Sequence, residues 1–434
     1  MTKNREIYLI GMGPGSASLL TEEARECLLS LDAVAGAERT MALYREIGGS
    51  ADEDCCFVSF RTAELVHFLS TLPDNCRKVG FLFTGALSVY SGATALASAL
   101  EEIGIARERL HYVSGLSSLD YFLDRLGERR ESAAVLSLHG REGSVLPLLA
   151  KEEKLLCLLG GSGQLKKISR ELLDFGFSET EMVLGSRLGY PEEQICRGKP
   201  ADFLDIEENP LSLLYLCYHP GTEALQTADF WRFGLEDTRF FRETGVPMTK
   251  QSARGFTLSQ LPLKEDAVVY DIGAGSGSIS VELSLHVPRG KVLAFESEVA
   301  ALRVLAENRQ RFLCGNLRIV PGSAPDTLPS ADSPDGRPDL VFIGGSRGRL
   351  SSIIKAVLER SPGCIIAIHA VTMETEQEIL QMEPQLAGSH RLDVKTFSVS
   401  VLRPLGRYHM RSAQNPITLA LFVPLESKKF EKII

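Results

Sequence analysis

A chain of 434 residues exceeds a comfortable single core, so two or more domains are expected. Its 44% hydrophobic and 24% charged residues are ordinary for a soluble globular protein, and a net charge of −9 argues against a nucleic-acid footprint while leaving room for a local basic pocket. No apolar run reaches membrane-spanning length, the N-terminus leads into a strand without a signal-peptide core, and nine cysteines show no C-x-x-C spacing, so reduced thiols in a cytoplasmic protein without a metal site are expected.

In chain order, Ile7 to Ile10 form an apolar run ending in Gly11-Met-Gly-Pro-Gly15. Thr21 then reads as a helix N-cap, with Glu22 and Glu23 in the first turn. Further strands are expected at Ala33–Ala35, Val79–Phe83, Tyr112–Val113, Ala134–Leu138, Leu155–Leu159, Met182–Leu184 and Leu211–Tyr218. Helical segments separate them, which gives an α/β architecture, and nearly every strand ends in Gly or Ser at the edge where open sheets place ligands. After His219 come turn residues and the aromatics Phe230, Trp231, Phe233, Phe240 and Phe241. The expected division is therefore 1–220, a linker at 221–240, and 241–434.

The second half turns on Val268-Val-Tyr-Asp-Ile-Gly-Ala-Gly-Ser-Gly277. A short apolar run reads as a buried parallel strand, and Gly273, Gly275 and Gly277 follow on alternate positions. A dinucleotide fingerprint requires its third glycine at the sixth place, which is Ser278 here. The spacing suits an adenosyl ligand without a pyrophosphate, such as S-adenosylmethionine. Glu296 ends the next apolar run, about where an acid meets ribose hydroxyls. The bland alternative is a glycine turn with no ligand. Four more strands are expected at Val292–Phe295, Leu317–Val320, Leu340–Ile343 and Cys364–Ile368, then an alternating segment Asp393–Leu402 and a last strand Ile417–Val423. This is a doubly wound sheet with a terminal β-hairpin.

These motifs carry a resemblance. Gly11–Gly15 with Leu19-Leu-Thr21, Val113–Ser118 and Ser137-Leu-His-Gly-Arg141 resemble the tetrapyrrole methyltransferases of cobalamin biosynthesis. Met248-Thr-Lys-Gln-Ser-Ala-Arg254, Asp271–Gly277, Gly322–Pro325, Phe342–Gly345 and Asn415-Pro416 resemble their decarboxylating partners. Joined in one chain, they resemble the bifunctional precorrin methyltransferases that modify ring carbons 5 and 15 and decarboxylate the ring-C acetate. The resemblance implies a tetrapyrrole-methyltransferase fold of two α/β subdomains followed by a Rossmann-like domain, with one S-adenosylmethionine in each. The first would lie against Pro14, Gly85, Ala86, Leu87, Ser117 and Ser118. The second would lie against Thr249, Gly273, Ala274, Gly275, Ser276, Gly277, Glu296, Ser323 and Ala324. A precorrin substrate, no nucleic acid or membrane, and a homo-oligomer are the implied partners. This chain departs from the family where Gly-Asp-Pro becomes Gly85-Ala-Leu87, where acids become Ser252 and Ser323, and where Arg347 and Arg349 follow Gly345.

Methyl transfer from a sulfonium is an in-line displacement, so alignment and water exclusion suffice and no catalytic residue is assigned. A polycarboxylate substrate calls for cationic forks. Lys250 and Arg254 lie four apart before the cofactor strand. Arg403, Arg407, His409 and Arg411 are expected in a loop leaving a parallel strand, and His139 and Arg141 end a strand of the first half. Two other readings stay open: a methyltransferase for another small molecule, and a cofactor-binding regulatory protein with one degenerate site.

Overall fold

The computed structural model describes residues 5–139, 143–161, 163–218 and 232–425. It divides into two compact units. One comprises 1–140, 156–166 and 181–216; the other comprises 141–155, 167–180 and 217–434.

The first unit contains a five-stranded parallel sheet built from β1 (Glu6–Gly11), β2 (Ala33–Gly36), β3 (Cys56–Val58), β4 (Lys78–Phe83) and β5 (Leu110–Val113), in the order β3-β2-β4-β1-β5. Its two faces bury separate apolar clusters, one around Ile7, Leu9 and Phe81, the other around Ile10, Met41 and Tyr44. Burial on both faces explains the unbroken apolar runs of the central strands. Arg5 is buried, and its guanidinium donates to the carbonyls of Leu69, Leu72, Pro73 and Cys76, closing the end of the helix Thr62–Thr71. Thr21 caps the helix Glu22–Leu29 as expected, accepting from the Ala24 N–H, and donates to the Ser114 carbonyl.

A second five-stranded sheet has the order β6-β7-β10-β8-β9, from β6 (Ala134–Ser137), β7 (Lys154–Leu158), β8 (Glu181–Ser186), β9 (Gln194–Gly198) and β10 (Ser212–Cys217). Strands β8 and β9 are antiparallel.

The remaining main sheet has seven strands. They are β11 (Val268–Ile272), β12 (Lys291–Glu296), β13 (Leu317–Pro321), β14 (Leu340–Ile343), β15 (Ile365–Ala370), β16 (His390–Phe397) and, after a separate two-stranded hairpin β17 (Ser400–Leu405) and β18 (Tyr408–Ala413), β19 (Ile417–Pro424). Their order is β13-β12-β11-β14-β15-β19-β16. The first five are parallel, and β19 is antiparallel to both β15 and β16. Strand order reverses between β11 and β14, the switch point where doubly wound sheets open a crevice. Two apolar clusters fill the faces, one including Val269, Leu283 and Phe342, the other Tyr270, Ile354 and Phe422.

The expected strand Asp393–Leu402 divides at Phe397. Its partner β19 begins at Ile417, opposite Phe397, so the chain beyond that point has no sheet neighbour and pairs with itself. No helix among the described residues is long and apolar enough to cross a membrane.

Candidate functional site

In the first unit, three loops meet at the carboxyl edge. The turns after β1 and β4 join through a two-way bridge, with the Gly85 N–H 2.9 Å from the Gly13 carbonyl. A Cβ on Gly11 would stand 2.7 Å from both Gly115 N and Gly85 O, so these backbones approach at van der Waals limits that only glycine permits. The expected residues Pro14, Gly85, Ala86, Leu87, Ser117 and Ser118 therefore belong to adjacent loops of one edge. Ser117 is buried and caps the helix Ser118–Leu126, accepting from Leu119 N–H. Pro14 packs against the turn at Gly189, and Tyr190 covers Gly15. His139 is on an exposed turn after β6, a strand of the other sheet, so the structure does not gather it with these loops. Arg141 lies outside the described residues.

In the second unit, a cavity of about 480 Å³ opens at the carboxyl ends of β11, β12 and β14, within the range of small-molecule sites. Gly273 and Gly275 line it in left-handed backbone, at φ +74° and +55°. A Cβ on Gly275 would stand 2.9 Å from the Pro247 carbonyl, and one on Gly273 2.7 Å from the Gly345 carbonyl. Glu296 ends β12 almost fully buried, with its carboxylate fixed by three backbone donors. Gly275 N–H is 2.8 Å from Oε2, and Ser297 and Glu298 N–H are 2.7 and 2.9 Å from Oε1. Ser323 and Ala324 line the same cavity. The turn, the anchored acid and the space together fit an adenosyl ligand with ribose hydroxyls.

Beneath the turn, Asp271 is buried. Its Oδ2 accepts from Ser280 Oγ, while Oδ1 finds no partner among the described residues. Burial pushes its carboxyl up to about 7, against the opposing Ser280 bond and with a contribution from the Glu296 charge. His369, near the end of β15, lies 2.6 Å from Thr257 Oγ1, and burial pushes it down to about 4.

Of the expected cofactor contacts of this unit, Gly273, Gly275, Glu296, Ser323 and Ala324 border the cavity. Ser276 is buried with its carbonyl bonded to Asn308, and Gly277 caps the helix Ser278–His286 against Leu305. Arg254 is not a substrate fork. It is completely buried, and its guanidinium is occupied by Glu282, Asp237, and the carbonyls of Thr249 and Leu235, with Phe240 stacked beneath. Lys250 and Arg254 lie four apart, but Arg254 points inward while Lys250, at the helix N-cap, is exposed.

The supposed arginine loop is the β17–β18 hairpin. Strand β16 runs in the same direction as β15, so the hairpin does leave from the carboxyl edge. Cross-strand pairing sets Arg403 opposite Met410 and Arg411 opposite Leu402, which puts the two arginines on opposite faces. Arg407 donates to Tyr408 Oη at 2.7 Å, and His409 faces Pro404. These residues do not form one cluster.

Sequence comparison decides the family. The precorrin methyltransferase domain matches residues 239–423, and the tetrapyrrole (corrin/porphyrin) methylases match residues 6–203. The cobalt-precorrin-6B C(15)-methyltransferase (decarboxylating) of Salmonella typhimurium is 39% identical over 184 residues, 42% of this chain and 92% of that protein. The chain belongs to the decarboxylating precorrin methyltransferases. The precorrin-6Y C(5,15)-methyltransferase (decarboxylating) of a Sinorhizobium species matches across both halves of this family member, at 27% identity over 89% of this chain and 90% of that one. A solved precorrin-6Y C5,15-methyltransferase of Geobacter metallireducens shares 33% identity, covering 44% of this chain and 97% of that one, with a TM-score of 0.40.

Proposed function

We propose that this chain methylates a precorrin at carbons 5 and 15 and decarboxylates its ring-C acetate, using one S-adenosylmethionine in 1–220 and another in 241–434. The observation that carries the reading is the second crevice, which Gly273 and Gly275, both lacking a Cβ, share with a buried carboxylate held by three N–H groups. Relatives that match both halves and only the second half support the division of labour.

The bound cofactor supplies a methyl group on a sulfonium. In the second domain, Glu296 receives the ribose hydroxyls, Ser323 and Ala324 border the adenine, and the Gly273–Gly275 backbone sets the distance of approach. Pro14, Gly85, Ala86, Leu87, Ser117 and Ser118 form the corresponding cradle in the first. These groups orient donor and acceptor and keep water away, which is most of what an in-line methyl transfer needs. The conjugated macrocycle takes the electrons released when carbon dioxide leaves. His139, Arg141, Lys250, Arg407 and one of the opposed pair Arg403 and Arg411 are the proposed contacts to substrate carboxylates, and homo-oligomeric assembly belongs to the same reading.

Incubating the full chain with S-adenosylmethionine and precorrin-6Y, or its cobalt form, tests this by mass spectrometry. The expected product has gained two methyl groups and lost carbon dioxide. Methylation without loss of carbon dioxide, or no change, overturns the proposal.

A further inference from the structure

Two cations at the second crevice have no part in the reading above. After β14 the chain runs Gly344-Gly-Ser-Arg-Gly-Arg349 into the helix Leu350–Arg360. Arg347 and Arg349 both line the cavity. Arg347 adopts φ +50°, a left-handed conformation that costs a non-glycine residue energy and is retained where the surroundings impose it. Its guanidinium donates to Glu298 Oε1 at 2.7 Å, on the segment after β12. Arg349 holds Asp326, after β13, through two parallel bonds of 2.7 and 2.8 Å. Each pair thus links the β14 loop to a different segment, one after β12 and one after β13.

We propose that Arg347 and Arg349 are carboxylate anchors for the methyl acceptor, held by Glu298 and Asp326 until the acceptor's own carboxylates take their place. This rests on the reading that the acceptor is a polycarboxylate tetrapyrrole. Four features support it. Both arginines stand at the switch-point edge, beside the cofactor turn. Arg349 already displays the two-bond fork that an acetate or propionate arm would receive. The pairs are solvent-exposed, so they contribute little and exchange readily. Gly348, next to Arg347, is at φ +75°, and a Cβ there would meet nothing within 4 Å, so space is open beside the arginine.

A simple latch holding the loop is the competing role, and the two predict opposite behaviour when the acids are removed. The full chain is assayed for carbon dioxide release at varied precorrin concentration, with Arg347→Gln, Arg349→Gln, Glu298→Gln and Asp326→Asn compared with the parent. For anchors, each arginine variant raises KM by about tenfold with kcat little changed, because a charge-assisted contact is lost. The acid variants leave KM unchanged or lower it, since they free the arginines. Calorimetry with S-adenosylhomocysteine shows unchanged affinity in all four. The assignment is overturned if each acid variant reproduces the defect of its arginine partner, if KM is unchanged throughout, or if the arginine variants lose S-adenosylhomocysteine affinity. A parent enzyme that releases no carbon dioxide overturns the functional reading as well.

Discussion

Arg254 Nε lies 2.7 Å from Glu282 Oε1, with both side chains completely removed from solvent. The same carboxylate accepts the N–H groups of Gly234 and Leu235, so this pair fixes the segment leading to Asp237 as well as two helices. Arg254→Met strands a buried carboxylate and is expected to cost about 3–5 kcal/mol of stability, read from denaturant unfolding. Adding Glu282→Leu should recover little of that loss, because the buried N–H groups of Gly234 and Leu235 then lose their acceptor. A stable Arg254→Met enzyme with a selective substrate defect would restore the fork reading.

Gly275→Val should remove one of two S-adenosylhomocysteine sites from the full chain. The new side chain starts 2.9 Å from the Pro247 carbonyl, on backbone at φ +55° that branched residues avoid. Calorimetric stoichiometry measures it. Two sites of unchanged affinity would mean that this turn does not hold the cofactor.

Asp271 and His369 should have opposing pH dependences. The folded Asp271 keeps its proton up to about pH 7, whereas an unfolded aspartate releases it near 3.8, so its contribution falls as pH rises between those values. His369 is raised in cost by acid instead: it protonates near 4 when folded and near 6.5 when unfolded, so stability falls as pH drops through that window. Each slope is about 1.4 kcal/mol per pH unit, and between roughly 4 and 6.5 they largely cancel. Asp271→Asn should therefore make the protein more acid-sensitive, and His369→Gln should make it gain stability on acidification. Parallel stability curves for the parent and both variants would contradict this.

Arg403→Gln and Arg411→Gln should differ in their effect on precorrin affinity. The hairpin places them on opposite faces, so one substrate surface meets only one of them. Equal losses of about tenfold in both would require the substrate to contact both faces.

The parallel strands were legible in the sequence because burial on both faces leaves runs such as Val268–Tyr270 and Leu340–Ile343 without polar interruption. Strand β3 escaped because it has only three residues, and β9 because its polar residues face outward. The glycine turn and Glu296 could be read from spacing alone. The inward turn of Arg254 could not, since helical periodicity shows that two residues share a face without showing which face is buried. In the sequence Arg347 and Arg349 read only as departures from the family pattern, because charged residues after a strand otherwise read as solvated loop until three-dimensional pairing shows what they touch.

The register of β16 with β19 has a consequence for how such an enzyme can diversify. The two strands pair residue for residue from His390 opposite Pro424 to Phe397 opposite Ile417, so their ladder is complete before the hairpin begins. Replacing residues 398–416 by a two-residue Asn-Gly turn should leave the seven-stranded sheet intact, since antiparallel neighbours need no more than that to connect. The hairpin is thus a detachable appendage on a finished scaffold. Insertions, deletions and exchanges can accumulate there at little cost to folding, while it remains rooted at the carboxyl edge of the sheet.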